Sequence, residues 1–189
     1  MMRIISGTFR GKKILEPKDI KTRPLKDLTK ESIFNILNHS NKFKVNLKNS
    51  NILDLFSGVG SFGIECLSRG AKYVVFTEKY NGVLPVLKKN LQNLKSIENY
   101  EILEKDIYNI NFLKSLDKKF DIIFMDPPYK DKDINLLLDN INNKKILSEN
   151  GILIIHRHKD EKDLIPNKLK IIEEKKYGLS KIIFLSILD

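Results

Sequence analysis

From residue 51 onward the apolar positions alternate between two spacings. Near-continuous runs occupy 51–56 (NILDLF), 73–78 (YVVFTE), 100–106 (YEILEKD), 120–126 (FDIIFMD), 151–157 (GILIIHR), 169–177 (LKIIEEKKY) and 181–188 (KIIFLSIL). Between them, apolar residues recur every three or four positions over 61–70, 83–94, 110–117 and 134–147, with a short candidate over 160–165. Runs of the first kind predict strands buried on both faces, and the second spacing predicts helices. Pro85 falls in the first turn of the 83–94 helix, so that helix should start a residue or two late or bend there. No helix separates the last two strands, which a turn around Gly178 should fold into an antiparallel hairpin at one end of the sheet. The expected architecture is α/β and Rossmann-like: a doubly wound, mostly parallel seven-stranded sheet with an antiparallel last strand.

Ahead of it the pattern changes. MRIIS and KKILEP flank GTFRG and read as a short hairpin with glycines at its turn. Over 27–40, Leu28, Ile33, Ile36 and Leu37 keep a helical spacing, with Asp27 as candidate cap, and 41–50 is a polar connector. The expected division is a hairpin-and-helix extension over 1–48 and a ligand-binding domain over 49–189.

At 189 residues a single core can bury roughly 70% of the unfolded surface without a disulfide or metal staple. Cys66, the one cysteine, lies in the apolar-periodic FGIECLSRG and is assigned no role. No apolar run approaches the ~18 residues of a membrane span, and MMRIISGTFRGKK lacks a signal peptide's apolar core, so a soluble cytoplasmic protein is expected. Charge adds a partner. The formal net charge is +10, and residues 1–30 hold nine basic side chains against three acids, a net +6. Such an arm suits a phosphate backbone, with Arg3, Arg10, Lys12, Lys13 and Arg23 the candidate contacts.

Two stretches carry candidate chemistry. NILDLFSGVGSFGIE sets Gly58, Gly60 and Gly63 in a G-x-G-x-x-G turn between strand and helix. Glu78 ends the next strand twenty residues after Gly58, where an acid grips ribose hydroxyls. Thus far a dinucleotide is a live reading. Asp54 inside the strand changes it, giving D-x-F-x-G-x-G with Phe56, the pattern of S-adenosylmethionine (AdoMet) methyltransferases. A carboxylate there can orient the loop and meet the ammonium of the methionine moiety. Lys79 follows Glu78, Asp106 can accept the adenine amino group, and Ile107 can pack on its ring. Three histidines, badly spaced, do not suggest a metal site.

The second stretch, FDIIFMDPPYK, is a buried strand stopped by two prolines. It leaves the sheet at Asp126, at the kind of carboxyl edge where open α/β sheets bind ligands. Amide-like nitrogens are poor nucleophiles because their lone pair is delocalised. Asp126 and the Pro127 carbonyl can accept both N–H bonds of such an amine and turn its lone pair toward a methyl donor, on a rigid corner. Tyr129 offers a stacking face for an extruded base. Adenine N6, cytosine N4, guanine N2 and glutamine amides all remain open, with Asp favouring nucleobases. Only 60 residues follow Tyr129, too few for a large recognition domain, which favours structured RNA.

End to end, the chain resembles the RsmD family. The resemblance rests on MRIISGTFRGKKI, TRPLKDLTKESIFNIL, ILDLFSGVGSFGIECLSRGA, FDIIFMDPPY and KKYGLSKIIFL. It implies a bacterial class I AdoMet-dependent methyltransferase that modifies one guanine N2, of the position-966 type, in 16S ribosomal RNA. It also implies an assembled or partly assembled small subunit as substrate; a monomer without metal is expected. Leu28 stands where an arginine is common, Leu179 where an aspartate often follows Tyr-Gly, and His156 and His158 where a glutamate is frequent. These departures concern edge contacts to RNA, and His156 is read as a polar strand-end residue. The alternatives are an adenine-N6 methyltransferase and a non-catalytic ribosome-assembly factor.

Overall fold

Branched and aromatic residues fill the strands so densely that side chains on both faces need cover. A computed structural model describes residues 2–17, 25–128 and 131–188. Its main strands are β3 (Asn51–Leu55), β4 (Tyr73–Thr77), β5 (Tyr100–Leu103), β6 (Phe120–Met125), β7 (Leu147–His158), β8 (Leu169–Tyr177) and β9 (Ser180–Ile187). Between them run α2 (Ser61–Ser68), α3 (Leu84–Gln92), α4 (Ile110–Lys114) and α5 (Ile134–Lys144). The seven strands pair in the order β5-β4-β3-β6-β7-β9-β8. β3 is parallel to β4 and β6, β6 to β7, and β9 is antiparallel to both neighbours. This is the expected Rossmann-like sheet with its antiparallel last strand. Gly178 takes the positive φ of 56° that the tight β8–β9 turn requires.

Period-two alternation divides the core. Ile52, Phe76, Phe124 and Ile154 belong to one buried cluster, Leu53, Val75, Ile123 and Ile155 to the other. The first cluster also takes in Met2, Ile4, Ile14, Ile33, Phe34 and Leu37 of the N-terminal extension. There β1 (Met2–Arg3) pairs antiparallel with β2 (Lys13–Ile14), followed by α1 (Asp27–His39). Phe62 of α2 stacks between Phe34 of α1 at 5.2 Å and Phe124 of β6 at 4.0 Å. Each such ring pair adds about 0.5–1.5 kcal/mol beyond its burial. Cys66 is buried in α2, where burial pushes its thiol well above the ordinary range. No helix among the described residues is long and apolar enough to cross a membrane.

Pro85 sits in the first turn of α3, which starts at Leu84. Four local expectations fail. Asp27 is not the cap: Lys26 holds that position without a side-chain bond, and Asp27 lies in the first turn, 3.4 Å from Lys30. Leu28 points to solvent at 71% exposure, while Lys30 takes a place on the buried face. Residues 160–165 form no helix, because Asp163 turns inward to the Arg157 guanidinium. β7 also begins earlier than its apolar run, at Leu147, with a register shift opposite Phe120 and Ile122.

Candidate active site

β3 and β6 are neighbours from which the chain winds outward in both directions, so their carboxyl ends flank the switch point. Leu55 pairs with Met125, which brings Phe56 and Asp126 out of the sheet side by side.

The glycine loop is tied down at each turn. Phe56 adopts a positive φ of 59°, a conformation costly for a bulky residue and characteristic of ligand sites. The Ser57 hydroxyl donates to the Asp54 carbonyl at 2.6 Å, and the Gly60 amide donates to the Ser57 carbonyl at 2.7 Å. Gly60 has φ +84°, and a Cβ there would come within 2.5 Å of the Leu87 side chain. Its open side therefore faces the core: Gly60 serves the turn and the packing beneath it. At Gly63 a Cβ would stand 2.3 Å from the Phe76 ring, so this glycine lets α2 lie on β4.

Asp54 is buried under the loop, with Oδ2 accepting the Gly63 amide at 2.9 Å. Burial, first of all, pushes its pKa up to about 8; the Gly63 bond works against this, and the charges of Asp126 and Glu78 add to it. From the end of β4, Glu78 accepts the Gly58 amide at 2.8 Å on Oε2 and the Lys79 and Tyr80 amides at 2.9 and 2.8 Å on Oε1. Beyond β5, Asp106 accepts from Lys79 Nζ at 2.9 Å and from the Tyr108 amide at 3.0 Å. Partial burial alone would raise its pKa, but these donors together outweigh it and hold the carboxyl below its ordinary value. Ile107 is buried in the cluster of Leu55 and Met125.

On the other side of the switch point, the Asp126 carboxylate lies 2.8 Å from His156 Nδ1 through Oδ1. Pro127 is buried and Pro128 exposed. Two contacts here escaped sequence reading. His156, next to the Asp126 carboxylate, is one. The other is Arg157, 1% exposed. It donates to the Pro128 and Asp131 carbonyls at 3.4 and 3.0 Å, bracketing residues 129–130, and its charge meets Asp163 at 2.9 Å. Tyr108 donates to Asp131 Oδ2 at 2.7 Å, linking the loop after β5 to the loop after β6. Burial first and then this bond hold the Tyr108 phenol well above its ordinary range. The one advance signal was an arginine in an apolar strand, which demands a buried partner. Tyr129 and Arg23 lie outside the described residues.

Arg3, Arg10, Lys12 and Lys13 are all exposed on the hairpin. The hairpin reaches the glycine loop through polar bridges. Lys30 Nζ joins the Arg3 carbonyl at 2.8 Å to Ser61 Oγ at 3.2 Å, and the Asn90 amide joins the Leu15 and Val59 carbonyls at 3.1 and 3.0 Å. Among the described residues no group of His, Cys, Asp or Glu could hold a metal ion.

Residues 2–186 match the family described as conserved hypothetical protein 95. The ribosomal RNA small subunit methyltransferase D of Haemophilus influenzae is 35% identical over 94% of this chain and 90% of that one. The protein of the same name from Buchnera aphidicola, subspecies Acyrthosiphon pisum, is 32% identical over 91% and 86%. The solved structure of yhhF from Escherichia coli superposes with a TM-score of 0.83 at 25% identity, covering 98% of this chain and 97% of that one. With the family match and the relatives both spanning nearly the whole sequence, the chain belongs to the RsmD family.

Proposed function

We propose that this protein transfers a methyl group from AdoMet to the exocyclic N2 of one guanine, of the position-966 type, in 16S ribosomal RNA. The observation that carries this reading is the adjacency of Asp126 and the Asp54 glycine loop at one switch point. Three carboxyl groups, Asp54, Glu78 and Asp126, are close enough for the last two to raise the pKa of the first. Such a site suits a ligand carrying an ammonium and a sulfonium and disfavours a pyrophosphate. Asp54, Phe56, Gly58, Glu78, Lys79, Asp106 and Ile107 would hold AdoMet, with Gly60 shaping the loop around it, and AdoMet supplies an electrophilic methyl group when bound. Asp126 and the Pro127 carbonyl accept the N–H bonds of the guanine amine and aim its lone pair, while Tyr129 stacks the base. Family membership supports a small-subunit RNA target, because its relatives carry that name. The substrate would be RNA in an assembled or partly assembled small subunit, gripped by the basic extension over 1–48, with the protein acting as a monomer. Mass mapping of modified nucleosides in 16S RNA, with and without the protein, tests the reading. N2-methylguanosine at one position is expected; N6-methyladenosine or an unmodified RNA would overturn it.

Charge on the hairpin makes a second expectation. Replacing Arg10, Lys12 and Lys13 by Glu should weaken RNA binding and flatten its salt dependence, by roughly 0.7–0.9 in log–log slope per lost phosphate contact. AdoMet affinity should hold. An unchanged slope in filter-binding titrations would make the arm a solvated surface only.

A third expectation concerns protons. Asp54 ionises near 3.8 when unfolded and near 8 in the folded, ligand-free protein. The unfolded chain thus binds fewer protons between those values, so this group's contribution to stability is lost as pH rises through about 8. A cationic ligand favours the carboxylate. Binding at pH 7 should release up to about one proton, and affinity should tighten as pH climbs toward the free-state pKa. Calorimetry in buffers of different ionisation enthalpy reads the release; zero exchange would mean that Asp54 is already ionised or never meets the ligand's charge.

A further inference from the structure

His156 and Arg157 are consecutive on β7, so their side chains leave opposite faces of the strand, yet both reach the corner that begins at Asp126. Arg157 holds backbone carbonyls. His156 instead touches the reactive carboxylate itself, with Nδ1 at 2.8 Å from Oδ1. His156 is 7% exposed as a residue and stands on rigid backbone, where Ile155, His156 and Arg157 pair in register with Ile183, Ile182 and Lys181 of β9. Asp126, by contrast, sits just past the end of β6. The terminal torsion of an aspartate is broad and roughly two-fold, so its carboxyl plane is set by its hydrogen bonds. An ionised carboxylate only accepts, so the bond requires the proton on Nδ1.

We propose that His156 is a positioning residue for the methyl transfer. Its Nδ1–H bond fixes the plane of the Asp126 carboxyl, commits Oδ1 to the protein and presents Oδ2 to the exocyclic amine. The role rests on the reading of Asp126 as the amine's acceptor. His158, two residues on, has its Nδ1 3.5 Å from the exposed Asp160.

A double-mutant cycle on the single-turnover rate, at saturating RNA and AdoMet, tests the pair. His156→Ala should slow the reaction about 10- to 100-fold, the range seen when outer hydrogen-bond partners of metal ligands are removed, with both affinities within about two-fold. In an Asp126→Ala background the same change should cost nothing further, because the histidine acts only through that carboxylate. Independent, additive losses would overturn the proposal, as would a wild-type rate for His156→Ala. If the alanine variant does not fold, the contrast between His156→Asn and His156→Gln repeats the test. Asn places its amide nitrogen near the position of Nδ1 and should recover most of the rate; Gln carries it one bond farther out and should stay slow. Equal rates for the two would overturn the pairing. Product analysis of the wild-type reaction separates this question from the substrate assignment. A product other than N2-methylguanosine sinks that assignment, while a non-additive cycle on whichever amine is methylated still upholds the His156–Asp126 pair.

Discussion

Asp126→Ala should lower the single-turnover methylation rate by about 10²–10³, roughly 2.7–4 kcal/mol of transition-state stabilisation, the usual cost of losing one preorganised polar group. The effect should fall on the chemical step. Asp126 lies on the β6 side of the switch point, whereas the proposed AdoMet contacts come from β3, β4 and the loop after β5. AdoMet affinity should therefore change far less than the rate. Removing one of the charges that raise the Asp54 pKa should, if anything, let Asp54 ionise more easily. Tyr129→Ala should behave differently, losing a stacking platform worth about 1–3 kcal/mol per base, and Tyr129→Phe should recover most of it. The phenolic hydroxyl is not needed for stacking, so this contrast separates a base platform from an acid–base tyrosine. An Asp126→Ala enzyme that methylates at the wild-type rate would remove the carboxylate from the mechanism.

What the sequence made legible was what short-range physics dictates. The strand over 120–126 had to stop at Pro127 because proline cannot continue a ladder, and β6 ends at Met125. β8 occupies 169–177 as its pattern predicts, and a glycine turn joins it to β9. Asp54, Glu78 and Asp126 could be recognised as a set because each ends or sits within a strand whose carboxyl edge the parallel topology aligns. The misses are long-range. Nothing near Arg157 in sequence announced that its guanidinium would hold Pro128 and Asp131, 29 and 26 residues away. Lys30 counted among the nine basic side chains of residues 1–30, yet it is buried, because its partners Ser61 and Glu65 lie on another helix. Local periodicity also mis-set the α1 stripe: with Lys30 turned inward, Leu28 is rotated out.

Lys30 and Glu65, both fully buried, should make the junction between the N-terminal extension and α2 the most sensitive point for stability. Glu65 accepts the Ile5 and Ser6 amides at 2.8 and 2.9 Å and Arg69 Nε at 2.8 Å, with Lys30 Nζ at 3.9 Å. Lys30 in turn donates to the Arg3 carbonyl at 2.8 Å. Burial lowers the Lys30 pKa, and the charges of Glu65 and Asp27 resist that fall. Glu65→Ala would leave two backbone amides and the Arg69 guanidinium without this acceptor, and the Lys30 ammonium without this counter-charge. The expected loss is about 3–5 kcal/mol, the cost of breaking a buried pair from one side, against a total stability of roughly 5–15 kcal/mol. Lys30→Met should cost clearly less, because it removes the buried charge while Glu65 keeps Arg69 and both amides. The order of the two variants is the sharper test, since a mere cavity would make them alike. Urea denaturation with unchanged slopes reads both midpoints. A Glu65→Ala loss below about 1 kcal/mol, the level of an exposed ion pair, would mean that apolar packing of Met2, Ile4 and Phe34 alone holds the extension in place.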